Sequence, residues 1–71
     1  MATDICVQIG RRIRVLRTRK GWTQTMLADY AQITREHLSE LENGKKEIGA
    51  RTLKRISQAL GLSLAAFFEG L

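Results

Sequence analysis

The densest run of hydrogen-bonding side chains is ITREHLSELENG, Ile33 to Gly44, where Arg35, Glu36, His37, Ser39, Glu40, Glu42 and Asn43 surround two leucines, Leu38 and Leu41. Two kinds of chemistry can use such a set. The first is catalysis. His37 is the only histidine and Cys6 the only cysteine, and a Cys–His nucleophile needs a third group to orient the imidazole and a cleft around it. The two residues fall on different helices of a small bundle, so no enzyme activity is expected. A single cysteine excludes an internal disulfide, and no Cys/His cluster has zinc spacing. No metal, cofactor or small-molecule ligand is therefore expected. The second chemistry is recognition of base edges. An arginine can fork onto guanine, and a carboxylate can accept from the cytosine amino group. The run is nonetheless acidic. Arg35, Glu36, Glu40 and Glu42 sum to minus two, whereas the whole chain carries +5.

The elements that must carry these side chains follow from periodicity. The chain has 71 residues and no proline, and no alternating strand pattern persists. A chain this short buries only about 60% of the surface its unfolded form exposes, so a partner subunit is a natural aid to stability. Cys6, Ile9, Ile13 and Leu16 recur at intervals of three and four, which predicts a first helix from about Asp4 to Lys20, stopped by Gly21. Thr23 caps a second helix with Leu27, Ala28 and Ala31 inward. Gln32-Ile33 form a tight turn. Thr34 caps a third helix with Leu38 and Leu41 inward, ended by Asn43-Gly44. After a polar loop, Lys45 to Gly49, a fourth helix carries Leu53, Ile56 and Leu60 to Gly61. Ser63 caps a last short helix with Leu64, Phe67 and Phe68. The expected fold is all-α, five short helices in one domain, residues 1–71.

Charge is uneven along this order. Residues 1–22 hold six Lys/Arg and one Asp, residues 23–44 one Arg against four acids, and residues 45–62 five Lys/Arg and one Glu. A basic balance favours an acidic partner, and nucleic acid is the commonest. No apolar run approaches the ~20 residues of a membrane span, and MATDICVQIGRRIR lacks the order of a secretory signal. The chain is expected to be soluble and cytoplasmic, with no membrane partner.

Two short helices across a turn of about three residues, TQTMLADYAQITREHLSELENG, form a helix-turn-helix pattern whose second helix can fill the DNA major groove. Other helical hairpins share the pattern. On a wheel at ~100° per residue, Glu36, Ser39, Glu40 and Asn43 fall opposite Leu38 and Leu41, with Arg35 at the edge. A plain solvated helix face would look much the same.

TQTMLADYAQITREHLSELENGKK, preceded by RIRVLRTRKGW and followed by RTLKRISQALGLSLAAFF, resembles the lambda-repressor-like (Xre-type) DNA-binding domains over about residues 9 to 68. The coincident features are I-R-x-L-R-x-x-K-G, T-Q-x-x-L-A, the L-E-N-G helix end, and L-x-x-I-x-x-A-L-G-L-S. Small members of that family include phage repressors, restriction–modification controller proteins and antitoxins, and T-R-E-H-L-S-E-L-E-N-G reads most like the controllers. The resemblance implies phosphate contact by Gln24 and base reading by Arg35 and Glu36, with Thr34 just ahead and Glu40 one turn on. Ser39 and Asn43 reach phosphate or base. It also places phosphate grips at Lys45, Lys46 and near Arg51. Arg11 and Arg12 can do the same from the first helix. His37 contacts a phosphate or lies against the second helix. The resemblance further implies a partly buried, structural ion pair between Arg17 and Glu42, with Trp22 as a core plug and Phe67 as the inward residue of the last helix. Tyr30 is expected half-buried.

Three positions depart from the family's pattern. Gln32 stands where glycine is usual in the turn, so either a left-handed residue persists there at ~1–2 kcal/mol or the turn is reshaped. Met26 replaces an acid that would complete the capping box, and Ile48-Gly49 replaces a common proline.

Leu64, Phe68 and Leu71 crowd the end of the chain beyond what so small a core can bury. A two-fold dimer through the last helix would cover them and align two reading helices. The implied function is a sequence-specific transcriptional regulator, a homodimer on a pseudo-palindromic operator, acting by occupying promoter DNA or by touching RNA polymerase. With no sensing domain expected, regulation would come from concentration, operator arrangement or a partner protein. The competing reading is an antitoxin-like module that binds another protein through Leu64–Leu71, with DNA contact secondary.

Overall fold

The computed structural model describes residues 4–71; residues 1–3 of the expected domain lie outside the described residues. Five helices follow in order: α1 Ile5–Arg19, α2 Gln24–Ala31, α3 Arg35–Glu42, α4 Ala50–Ala59 and α5 Leu64–Glu69. Four of them begin where a side-chain oxygen satisfies an otherwise orphaned N–H. Asp4 accepts from the Cys6 amide at 2.7 Å, Thr23 from Met26 at 3.1 Å, Thr34 from His37 at 3.0 Å and Ser63 from Ala66 at 3.1 Å. These hydrogen bonds to Cys6 hold the Asp4 carboxyl below the usual carboxylate range. The cap is therefore present at neutral pH and is lost as pH falls through that lowered value. At Gly49, which opens α4, no side chain caps the helix.

Every helix contributes one wholly unexposed apolar side chain to a common core: Ile13, Leu27, Leu38, Ile56 and Phe67, all at 0%. Around them α1 packs on α3, α2 on α3 and α4, and α4 on α5. Among the described residues, no helix is long and apolar enough to cross a membrane.

The closest approach joins α1 to the end of α3. Gly10 lies mid-helix, where periodicity gives no reason for a glycine. A Cβ there would stand 2.7 Å from the Glu42 carbonyl oxygen and would collide harder with that of Leu41. Gly44, at φ 70°, turns the chain out of α3 directly against Val7. The α2–α3 turn is not reshaped. Gln32 takes the left-handed conformation, φ 60° and ψ 43°, and ends α2 with its N–H on the Asp29 and Ala28 carbonyls.

One carboxylate ties these helices together. The Glu42 side chain is fully buried, yet Arg17 forks onto it, Nε to Oε2 at 2.7 Å and Nη2 to Oε1 at 3.0 Å. Gln24, the first residue of α2, donates its side-chain amide to Oε1 at 3.0 Å, and Arg14 Nε stands 3.5 Å from the same oxygen. The remaining Arg17 amino group donates to the Trp22 carbonyl at 2.8 Å. The α1, α2 and α3 elements and the α1–α2 loop thus meet at Glu42.

Three outcomes are expected in urea denaturation. Gly10→Ala raises helix propensity by ~1 kcal/mol, but two backbone carbonyls cannot yield to the new methyl, so the net effect is a loss of about 1–3 kcal/mol. Gln32→Gly relieves the left-handed strain and gains a net ~0.5–1 kcal/mol, a Tm rise of about 2–8 °C in a domain of this size. Arg17→Met strands the buried carboxylate at a cost of about 3–5 kcal/mol, whereas Arg17→Met with Glu42→Leu recovers most of that loss.

Candidate nucleic-acid interface

With Leu38 and Leu41 buried, the opposite side of α3 is an open polar face. Arg35 and Glu36 are exposed in its first turn, Ser39 and Glu40 are half-exposed in the second, and Asn43 is exposed where the helix ends. Eight residues at 1.5 Å each make a rod ~12 Å long, matched to a major groove ~12 Å wide. Thr34 is exposed; its hydroxyl oxygen accepts the His37 N–H, which leaves its O–H and one lone pair for an outward partner. His37 is half-buried beside this face.

The three glutamates of α3 sit in three different settings. Glu42 is inside, 3% exposed. Glu40 Oε1 lies 3.5 Å from Lys46 Nζ, an exposed pair that joins an expected base reader to an expected phosphate grip. Glu36 is exposed beside Arg35. The exposed face of α3 is thus less acidic than the residue string, because one charge is buried against arginine and a second is balanced by the loop.

Cations frame this face. Lys45 and Lys46 are exposed in the α3–α4 loop, and Arg51 is exposed in the first turn of α4, whose N-terminal N–H groups have no side-chain cap. Such an N-terminus favours an anion. Gln24 commits one amide hydrogen to Glu42 and keeps a second as a donor. Asn43 has its amide oxygen held by Arg14 Nη2 at 2.9 Å, which turns its NH₂ donor away from α1. Arg14 was not singled out from the sequence. Its signal was the spacing of Gly10, Arg14 and Arg17, four and three residues apart, on the side of α1 that meets α3.

Arg12 lies apart from these residues, on the side of α1 away from Arg14, and its guanidinium is engaged within the fold. Its Nε donates to the Phe67 carbonyl at 3.0 Å and its Nη2 to the Ala66 carbonyl at 3.3 Å, in the last turn of α5. Arg11 is exposed, about 60° around α1 from Arg14, and lines a groove with Val15, Gly70 and Leu71.

Phe67 is the buried residue of α5, while Leu64, Phe68 and Leu71 are 38%, 42% and 43% exposed. Val15 of α1, 43% exposed, extends that apolar surface toward Leu71. Trp22 packs on the core from its edge. Tyr30 is not half-buried as expected. It is 57% exposed, and its ring rests on Trp22 with centroids 4.8 Å apart. Cys6 lines a shallow groove with Asp4, Ile5, Ile9, Glu47 and Ile48, and His37 does not line it. Lost hydration, and then Asp4, push the Cys6 thiol above its ordinary value, away from a nucleophilic thiolate.

The helix-turn-helix family profile matches residues 13–67. The competence pilus inhibition repressor of Acinetobacter baylyi is 37% identical over 62 residues, 87% of this chain and 56% of the repressor. The chain spans about half the length of that relative and of a regulator from Sinorhizobium medicae, 47% of which is covered. The control protein C.MunI of a Mycoplasma species is 31% identical over 67 residues, 93% of this chain and 90% of its own. Among solved structures, the restriction–modification controller C.AhdI of Aeromonas hydrophila superposes with a TM-score of 0.85 at 28% identity, covering 89% of this chain and 96% of that one. The C.Esp1396I controller, a tetramer in complex with its natural 35-base-pair operator, superposes with a TM-score of 0.88 at 26% identity, covering 96% of this chain and 90% of that one. With α2, the Gln32–Thr34 turn and α3 all inside the matched span, the chain belongs to the helix-turn-helix family.

Proposed function

We propose that this chain binds duplex DNA sequence-specifically as a homodimer and regulates transcription, as a repressor or as a controller of the restriction–modification type. The observation that carries this reading is the exposed polar face of α3, framed by Lys45, Lys46 and Arg51, on a scaffold similar to a controller bound to its operator. The work it does is binding, in the cytoplasm where the DNA is.

In this reading α3 lies in the major groove. Lys45, Lys46, Arg51, the second Gln24 amide hydrogen and the Asn43 NH₂ meet phosphates and set register, while base contacts carry sequence. Arg35 forks onto guanine. Glu36 sits among phosphates at a cost in repulsion, so it is tolerated where it meets a donor such as the cytosine amino group and rejects sites that lack one. Glu40, balanced by Lys46, reads or positions without the full cost of an unpaired charge. Leu64, Phe68 and Leu71 bury against their copies in the partner, which places two α3 helices one DNA turn apart, about 34 Å. Occupancy of promoter DNA, or contact with RNA polymerase from that position, is the regulatory step.

Selection of binding sites from random duplex DNA tests this reading. The expected product is an inverted repeat, bound with an affinity that falls about 10³-fold or more between 50 and 200 mM salt if some six phosphates are contacted. Arg35→Ala costs about 1–3 kcal/mol and relaxes choice at one position per half-site, whereas Lys46→Ala weakens all sequences alike and lowers the salt slope by about one. An unchanged selected sequence with Arg35→Ala would remove α3 as the reader. Equal binding to scrambled DNA would leave only charge-driven packing, and a stable complex with a different protein in place of the homodimer would favour the antitoxin-like reading.

A further inference from the structure

We infer that Arg12 is a positioning residue that sets the distance between half-sites, by locking the dimer-forming helix to the body that carries the reading helix. The inference rests on the dimer reading above.

A six-residue helix is far too short to hold itself. α5 packs on α4, and Phe67 plugs it into the core. A single plug leaves a short rod free to rock about that point. Arg12 supplies the second attachment. It reaches across 55 and 54 residues of sequence to donate to the Phe67 and Ala66 carbonyls in the last turn of α5, where Phe67 otherwise accepts only a long 3.4 Å bond from the Gly70 N–H. Its guanidinium also stands 5.8 Å from the centre of the Phe67 ring, and Gly70 lies directly against it. Charge-assisted bonds from a planar fork are directional, so they fix the angle of α5 as well as its place.

That angle matters because of what lies on each side of α1. On one side of the helix, Arg12 holds α5 with Leu64, Phe68 and Leu71 on its exposed surface. On the other side, Arg17 grips Glu42 at the end of α3. Val15 and Leu71 line one groove, so the apolar surface is itself shared between α1 and α5. The route from the dimer surface to the reading helix therefore runs through a single rod that carries one guanidinium fork at its middle, toward α5, and another in its last turn, toward α3. Without the Arg12 fork, α5 can rock while α3 stays aimed, and the two α3 helices of a dimer lose their fixed separation.

The test compares the full wild-type chain with Arg12→Gln and with Arg19→Gln, which removes the same charge from the same groove. Sedimentation equilibrium gives the dimer constant. Binding to duplexes that carry two identical half-sites, moved apart one base pair at a time, gives the spacing preference. The wild type is expected to favour one spacing. With Arg12→Gln the dimer constant weakens about tenfold, through loss of preorganisation, and affinity spreads over neighbouring spacings, while binding to an isolated half-site is unchanged. Arg12→Lys keeps the charge without the fork and falls between the two. It also serves as the readout if Arg12→Gln does not fold, as judged by circular dichroism. Arg19→Gln keeps the wild-type spacing. A spacing preference in Arg12→Gln or Arg12→Lys identical to wild type, or the same broadening in Arg19→Gln, overturns the inference while a dimeric wild type leaves the dimer reading standing. A wild type that is monomeric in solution and on DNA overturns both.

Discussion

A carboxylate removed from water loses several kcal/mol of solvation, and attraction to a partner offsets this only when the geometry is good and the other lone pairs are satisfied. Glu42 meets those conditions through a two-bond fork from Arg17 and an amide from Gln24. An apolar cluster of the same volume could match that stability, because leucines attract without regard to direction. The ion pair adds direction. Its bonds are short and oriented, two from α1 and one from α2, so the first residue of α2 and the last residue of α3 are fixed to α1 at once. The two helices of the helix-turn-helix unit are thereby aimed as well as packed. Gly10 makes this possible, because only a residue without a Cβ lets α1 come close enough for Arg17 to reach.

The same interaction explains the distribution of charge. A basic chain carries its most acidic run on α3, and that looks unfavourable for DNA until the carboxylates are placed. Glu42 belongs to the interior, Glu40 is paired with Lys46, and Glu36 remains as the exposed acid beside Arg35. Exposed cations gather instead in the α3–α4 loop and at the start of α4. The exposed face of α3 is left with side chains that between them both donate and accept hydrogen bonds. Arg14 links the two functions, touching buried Glu42 and exposed Asn43 together.

Arginines on α1 divide by side. Arg14 and Arg17 serve the end of α3, and Arg12 serves the end of α5. One fifteen-residue helix is therefore the frame on which both the reading face and the exposed apolar face are mounted.

Much of this architecture was legible in the string of residues. The five helices, the caps at Thr23, Thr34 and Ser63, the glycine stops and the inward leucines are short-range matters, set by periodicity and by bonds spanning two or three residues. The polar face of α3 follows from the same wheel that buries Leu38 and Leu41. A family resemblance supplied the Arg17–Glu42 pair and the inward Phe67, which spacing alone does not give. Only the tertiary structure decided which arginine reaches the end of α3 and which the end of α5, why Gly10 lacks a side chain, that Gln32 holds the left-handed turn, and that Tyr30 lies outside on Trp22. The physical reason is range. Arg12 and Arg14 are two residues apart and chemically identical, and a helix turns them to opposite sides, one to a carbonyl 55 residues away and the other to an amide 29 residues away. Local sequence sets the direction in which a side chain leaves its helix, and the packing of the other four helices sets what it meets there.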